Sequence, residues 1–254
     1  MKHTTSWQKV GKWYNKLVED KGHYYHEHVI IPGVLKFLNL KPNDSLLDVG
    51  CGQGVLARQI PKNAYYQGID NAPTLIESAK RLDKNQSHHY SIADATNPLP
   101  FEKHDFTHSA IVLALQNMEN PEIVFQNISR RLVSTGKLVI VLNHPMFRIP
   151  RQSSWGIDEA NKLQYRRINR YLSPLKIPIT MHPGQSVQTL TWSFHHPLSD
   201  YSKFLKNTGF LIELIEEWTS TRESLGSAAK MENRGRAEIP LFMAILAQKI
   251  RVGL

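Results

Sequence analysis

Three glycines at every second position, Gly50, Gly52 and Gly54, follow the apolar run Leu46-Leu47-Asp48-Val49. Glycine has no Cβ, so such a loop turns tightly and lets an extended ligand lie against main-chain N–H groups. The segment reads as a buried strand, an abrupt glycine loop and then a helix from Val55 to Ile60. A dinucleotide fingerprint, G-x-G-x-x-G, needs its third glycine at position 55, where this chain has Val55. Two further carboxylates fall where the next strands should end. Tyr65-Tyr66-Gln67-Gly68-Ile69-Asp70 reads as a second strand finishing in Asp70, and an acid there, about 20 residues beyond the first strand, can accept both hydroxyls of a ribose. Ser91-Ile92-Ala93-Asp94-Ala95 reads as the end of a third strand with Asp94 at its tip. An isolated Asp at a loop is more often a helix cap than a ligand. In this order and at these intervals the three signals describe a seat for a nucleotide-like molecule.

The loop G-x-G-x-G with Asp48 two residues ahead of it resembles motif I of the class I S-adenosylmethionine-dependent methyltransferases. The resemblance runs from about Lys41 to Leu142 and implies S-adenosyl-L-methionine as cofactor. It implies that Asp48, Gly50, Cys51, Gly52 and Gly54 form the loop beneath the methionine part, with Asp70 and Asn71 at the ribose. Asp94 and Ala95 would then meet the adenine, and Leu113 would follow the fourth strand beside the cofactor. Small-molecule members also use a tyrosine of the N-terminal segment on the methionine carboxylate, which here implies Tyr25 of Gly22-His23-Tyr24-Tyr25-His26-Glu27-His28. A zinc site is the competing reading of that segment, but it has no partner thiolate and no i,i+4 histidine pair, so no metal is expected.

Chemistry on the transferred methyl group should come from residues beyond the fourth and fifth strands, because ligands of open α/β sheets bind outside the carboxyl ends of the strands. His144 follows the fifth strand directly, and Pro145 holds it extended. Its imidazole titrates near neutral pH and could take a proton from the acceptor; simple substrate contact, or a bond to its own loop, is the alternative. Asn143, Arg148, His195 and Tyr201 are the candidate acceptor contacts. The last two lie in His195-His196-Pro197-Leu198-Ser199-Asp200-Tyr201, which resembles a pocket-shaping segment of the small-molecule members. Leu113-Ala114-Leu115-Gln116-Asn117-Met118 lacks the Asn/Asp-Pro-Pro-aromatic sequence that grips a planar amino nitrogen in related families. Cys51 is the only cysteine, which excludes a second, nucleophilic thiol and any intramolecular disulfide.

The resemblance implies a doubly wound, Rossmann-like α/β sheet of seven strands, mostly parallel, with an antiparallel C-terminal hairpin. Helices are expected over Trp7 to Val18, over His26 to Leu38 with a kink or restart at Pro32, from Pro73 to about Leu82, and from Asn120-Pro121, as N-cap and N1 proline, to near Leu132. Phe106 to Leu113 and Gly136 to Leu142 read as the fourth and fifth strands. Ser199 should cap a helix from Asp200 to Asn207, which Gly209 ends. Phe210 to Trp218 and Ile239 to Lys249 are the last strands. The expected organisation is an N-terminal helical lid over residues 1–40 and a methyltransferase domain over 41–254, with a cap insertion over 145–197.

The 254 residues, 41% of them hydrophobic, are enough for one large core with additions. No continuous apolar stretch resembles a signal peptide or a membrane span, so the expectation is a soluble, cytoplasmic protein. The net charge of +9 favours anionic partners. Between Phe147 and Thr180 seven basic residues (Arg148, Arg151, Lys162, Arg166, Arg167, Arg170, Lys176) face two acids, Asp158 and Glu159, an excess of five. Trp155, Tyr165 and Tyr171 are interleaved with them. The preferred reading is O- or C-directed methylation of a small molecule such as a quinone precursor, phenol or carboxylic metabolite. An RNA methyltransferase that clamps its substrate with the basic insertion is the alternative, and a non-catalytic cofactor-binding accessory protein is a third.

Overall fold

A computed structural model describes residues 22–181 and 189–250 of the chain. The helix expected over Trp7 to Val18 lies outside them. The centre is a seven-stranded sheet built from β1 (Ser45–Val49), β2 (Tyr65–Asp70), β3 (His88–Ile92), β4 (Phe106–Val112) and β5 (Leu132–Asn143), with β10 (Phe210–Trp218) and β11 (Phe242–Lys249). Its order is β10-β11-β5-β4-β1-β2-β3. β1 pairs in parallel with β2 and β4, and the parallel ladder continues from β2 to β3 and from β4 to β5. The order therefore reverses at β1 and β4, and a crevice opens there at the carboxyl ends. β11 runs antiparallel between β5 and β10. The two last strands are thus antiparallel as expected, but no tight hairpin joins them: residues 219–241 intervene and include a helix, α5 (Ala229–Glu238), that the weakly amphipathic sequence Ala229-Lys230-Met231-Glu232-Asn233-Arg234-Gly235 does not announce.

Alternation along the strands covers both faces of the sheet. Leu46, Val139, Val141 and Ala244 enter one core with Ile30, Val34 and Leu38 of the N-terminal helical segment and with Ile76 and Ala79 of α2 (Pro73–Leu82). Leu47, Val49, Leu138, Ile140 and Ile245 enter the opposite core, under α3 (Pro121–Ser129) and α4 (Leu198–Asn207). Strands buried on both faces read as unbroken apolar runs, which is why β5 was legible from Leu138 to Leu142.

Several local expectations need correction. The stretch after the glycine loop makes only turns and a 3₁₀ segment, Ala57–Gln59, because Pro61 closes it before a helical turn can propagate. β3 ends at Ile92, so Asp94 stands two residues past it. α3 stops at Ser129 and β5 begins at Leu132. Asn120 precedes α3 without a side-chain capping bond. Ser199 is not a cap either, since α4 starts at Leu198 with Pro197 at the N-cap, and the Leu198 N–H donates to Tyr171 Oη at 3.0 Å. Pro32 does mark a restart: a π-helical turn, His26–Ile30, passes into α1 (Ile31–Leu38) there. The segment between β5 and α4 contains two antiparallel ribbons, β6 (Ser153–Asp158) with β7 (Leu163–Ile168), and β8 (Leu175–Met181) with β9 (Thr189–His195).

Candidate functional site

The glycine loop is held against β2. Gly50 and Cys51 donate to the Ile69 carbonyl at 2.8 and 2.9 Å. Gly50, Gly52 and Gly54 have φ of +74°, +54° and +74°, the left-handed region that glycine enters without cost. A Cβ on Gly50 would also lie 2.4 Å from that of Ala114. Asp70 closes the loop from the other side: Oδ2 accepts from the Gly52 N–H at 3.0 Å and Oδ1 from the Ala72 N–H at 2.9 Å. Burial raises its pKa, and the backbone N–H bonds oppose the rise.

A cavity of about 840 Å³ opens between this loop and the β8/β9 ribbon. Of the residues singled out from the sequence, Gly50, Gly52, Asp70 and Asn71 line it, with Asp94 and Ala95 farther along the same wall and Leu113 and Asn143 beyond β4 and β5. Asp94 Oδ1 is engaged locally, accepting from Thr96 N at 2.9 Å and Thr96 Oγ1 at 2.7 Å. Leu113 adopts φ +53°, rare for a branched side chain; its N–H donates to Val141 O and its carbonyl accepts from Gln116 Nε2, both at 2.8 Å.

Asp48 and Cys51 do not reach that wall; with Gly52 and Gln53 they border a second, small cavity of about 40 Å³ beneath the loop. Asp48 is 2% exposed and accepts from Tyr66 Oη at 2.8 Å. Burial lifts its pKa to about 7 against the pull of that bond. Burial likewise holds the Cys51 thiol up, so it is protonated and acts as a packing group. Gly54 makes room for Tyr90, whose Oη would stand 2.8 Å from an added Cβ.

Five further sequence candidates lie off the large cavity. Tyr25 donates to or accepts from Ser220 Oγ at 3.0 Å and packs on Phe242, and its neighbour His26 takes the place at the wall. Spacing could locate that segment but could not tell which side chain of a π-turn faces inward. His144 is buried, and its two ring nitrogens are both engaged: Nδ1 accepts from the Met146 and Phe147 N–H groups at 3.2 and 3.4 Å, and Nε2 is 2.7 Å from Glu217 Oε1. Backbone donors on Nδ1 place the proton on Nε2. Burial lowers the pKa of His144 against the raising effect of Glu217. Arg148 stacks over Phe242, 5.7 Å from its centroid. His195 bonds the Tyr171 carbonyl through Nε2 at 2.6 Å, and Tyr201 is buried in the core under α4. His26, Gln116, Thr191 and Ser193 are wall residues that the sequence did not single out.

The loop fits a methionine-bearing nucleoside on its own geometry, since the Gly50 and Gly52 main chain is bare where it borders the cavity and a carboxylate stands beside it. Residues 47–140 match the methyltransferase domain family. An uncharacterized methyltransferase of Schizosaccharomyces pombe is 32% identical over 191 residues, 72% of this chain and 65% of its own length. The 2-phytyl-1,4-naphtoquinone methyltransferase of Trichormus variabilis is 29% identical over 156 residues, 55% of this chain and 67% of its own. The chain therefore spans about two thirds of the length of these curated relatives. In three dimensions, an S-adenosylmethionine dependent methyltransferase from Mesorhizobium loti superposes with a TM-score of 0.67 at 22% identity, covering 86% of this chain and 96% of that one. Residues 47–140 thus carry a methyltransferase domain, and the sheet around them has the fold of S-adenosylmethionine-dependent methyltransferases.

Proposed function

We propose that the chain transfers a methyl group from S-adenosyl-L-methionine to a small-molecule acceptor, O- or C-directed and of quinone-precursor, phenolic or carboxylic type. The observation that carries this is one cavity with two unlike walls. On the β1–β3 side stand the bare glycine loop and Asp70; on the β4–β5 side stand Val112, Leu113, Ala114 and Met118 with Ile179 of β8. A volume of about 840 Å³ lies within the usual range for small-molecule sites. Relatives whose names specify quinones, including a demethylmenaquinone methyltransferase of Chlamydia pneumoniae at 30% identity over 128 residues, support the same acceptor class.

When bound, the cofactor would supply a sulfonium methyl open to in-line attack by the acceptor, with neutral S-adenosylhomocysteine as the leaving group. The protein's part is to hold and orient. Gly50 and Gly52 offer main chain, while the Asp70 carboxylate, which accepts from the Gly52 and Ala72 N–H groups, keeps lone pairs for ribose hydroxyls. Asn71, Asp94 and Ala95 continue the wall toward the adenine. The apolar surface beyond β4 excludes water and presents the acceptor, and much of methyl transfer can come from such positioning alone. His144 fixes the end of β5 to β10 through Glu217 and so acts as a positioning residue. Titrating S-adenosylhomocysteine against the protein by calorimetry should give micromolar binding, with NAD hardly bound. Asp70→Ala should weaken the first by roughly tenfold to several-hundredfold, since hydrogen bonds to charged groups are worth about 1.5–3 kcal/mol. Equal affinity in wild type and variant would place the ribose elsewhere.

A further inference from the structure

Among the described residues, four buried side-chain polar atoms have no hydrogen-bond partner: His26 Nδ1, Gln116 Oε1, Thr191 Oγ1 and His196 Nδ1. Three of the four belong to residues on the wall of the 840 Å³ cavity. Buried polar groups are nearly always paired, because an unmade bond costs the full desolvation of the group. Three orphans around one space therefore mark bonds reserved for what enters it.

The three divide by position. His26 borders both the large cavity and the small one beneath the glycine loop, which puts it on the cofactor's side. Gln116 stands beyond β4 and Thr191 on β9, on the acceptor's side. Thr191 pairs across the ribbon with Ile179, and Ser193 follows two residues on, so all three present one face to the cavity. The β9 strand packs against the 3₁₀ turn Leu115–Asn117 that carries Gln116.

Gln116 is the more specific of the pair. Its amide nitrogen donates to the Leu113 carbonyl at 2.8 Å, and a carbonyl partner fixes which end of the amide is the nitrogen. The remaining oxygen can only accept, so its partner must be a donor. Val112, Met118 and Ile179 on the same wall are apolar, and Glu119, the lining carboxylate nearest to Gln116 in sequence, is already paired with Lys176 at 2.9 Å and offers no free countercharge to an ammonium. We infer that Gln116 and Thr191 form an acceptor-recognition pair that selects a neutral hydroxyl group on an apolar ring, as in a phenol or hydroquinone. This rests on the methyltransferase reading of the cavity and deepens it. Neither side chain is a proton acceptor of any strength, so both act as positioning residues.

The test uses two probes of the same heavy-atom count and similar shape, one with a hydroxyl and one with a methyl in its place, 1-naphthol and 1-methylnaphthalene, titrated by calorimetry into the full chain with and without saturating S-adenosylhomocysteine. Wild type should bind 1-naphthol at least about tenfold more tightly, in line with sites built to bond a hydroxyl. Gln116→Leu and the isosteric Thr191→Val should each reduce the ratio, and the double variant should bring it near unity. Thr191→Ser should restore the wild-type ratio, which a merely structural role for Thr191 would not require. Affinity for S-adenosylhomocysteine should stay unchanged throughout. No binding of 1-naphthol, equal binding of both probes to wild type, or a ratio that survives the double variant would overturn the inference. Failure of S-adenosylhomocysteine to bind wild type would instead refute the cofactor reading, and the titrations without it would still decide the hydroxyl question.

Discussion

At the scale of single residues, burial decides what each ionisable group can do. His144 is attractive in the sequence as a base beyond β5, but the fold spends both its nitrogens on Glu217 and on its own turn. His144→Gln should therefore leave the acidic limb of the pH–rate profile in place, where loss of a true base would remove it and cost about 10² to 10⁴ in kcat. Disappearance of that limb, with cofactor affinity intact, would restore His144 as the base. Asp48 gives a second prediction. Its pKa is about 7 in the folded protein against 3.8 in the unfolded chain, so between these values the folded state binds the extra proton. The associated stability is fully present below about pH 4 and is lost as pH rises through about 7. Asp48→Asn should thus melt with a shallower decline across that window than wild type. The histidines whose pKa burial lowers act in the opposite direction, being stabilising above about 6.5 and losing that as pH falls, but they are common to both proteins and cancel in the difference. Parallel melting curves from pH 4 to 7 would count against a protonated Asp48.

At the scale of elements, the join between α1 and the edge of the sheet is the most exacting contact. Gly33 lies under Trp218, and a Cβ there would stand 2.4 Å from the indole Cη2 and Cζ2. The ring cannot swing away freely, since its Nε1 donates to Glu216 Oε2 at 2.9 Å and Glu216 is in turn bonded by Lys36 at 3.0 Å. Gly33→Ala gains up to about 1 kcal/mol of helix propensity. Overpacking typically costs about 1–3 kcal/mol, so the clash should win and lower the denaturation midpoint without changing the m-value. A higher midpoint would show that Trp218 yields. The same scale explains what the sequence could tell. Strands with unbroken apolar runs, the α2 boundaries at Pro73 and Leu82, and the order glycine loop, Asp70, Asp94 were legible because each rests on local sterics or on burial from both sides. The β6/β7 ribbon was not, as its strands at residues 153–158 and 163–168 alternate between half-buried and exposed without a clean apolar face. Thr191 and Gln116 were missed for a related reason: a single polar residue acquires meaning only when folding buries it without a partner.

At the scale of the whole molecule, the question is what the +9 charge does. The basic excess between Phe147 and Thr180 is less available than its count suggests. Arg148 lies half-buried over Phe242, Arg166 donates to Phe147 O and Ser153 Oγ while stacking on Trp155, and Lys176 pairs with Glu119 at 2.9 Å. Four exposed cations remain, Arg151, Lys162, Arg167 and Arg170, facing the half-buried Asp158 and the exposed Glu159, so the free excess falls from five to two. Each phosphate neutralised on a single strand contributes about 0.7 to the slope of log affinity against log salt, so even all four cations give a slope no steeper than about −3. A polynucleotide clamp needs more than that, whereas a compact neutral acceptor needs none of it. Incubating the protein with labelled S-adenosylmethionine and cell extract, then separating metabolites, lipids, RNA and protein, should put the label in the metabolite or lipid fraction. Its rate should change little between 50 and 200 mM salt and in an Arg151→Ala/Arg167→Ala/Arg170→Ala variant. Label in RNA that falls steeply with salt and vanishes in the variant would reverse the assignment, because those three side chains touch neither the cavity nor the glycine loop and could act only through a long anionic substrate.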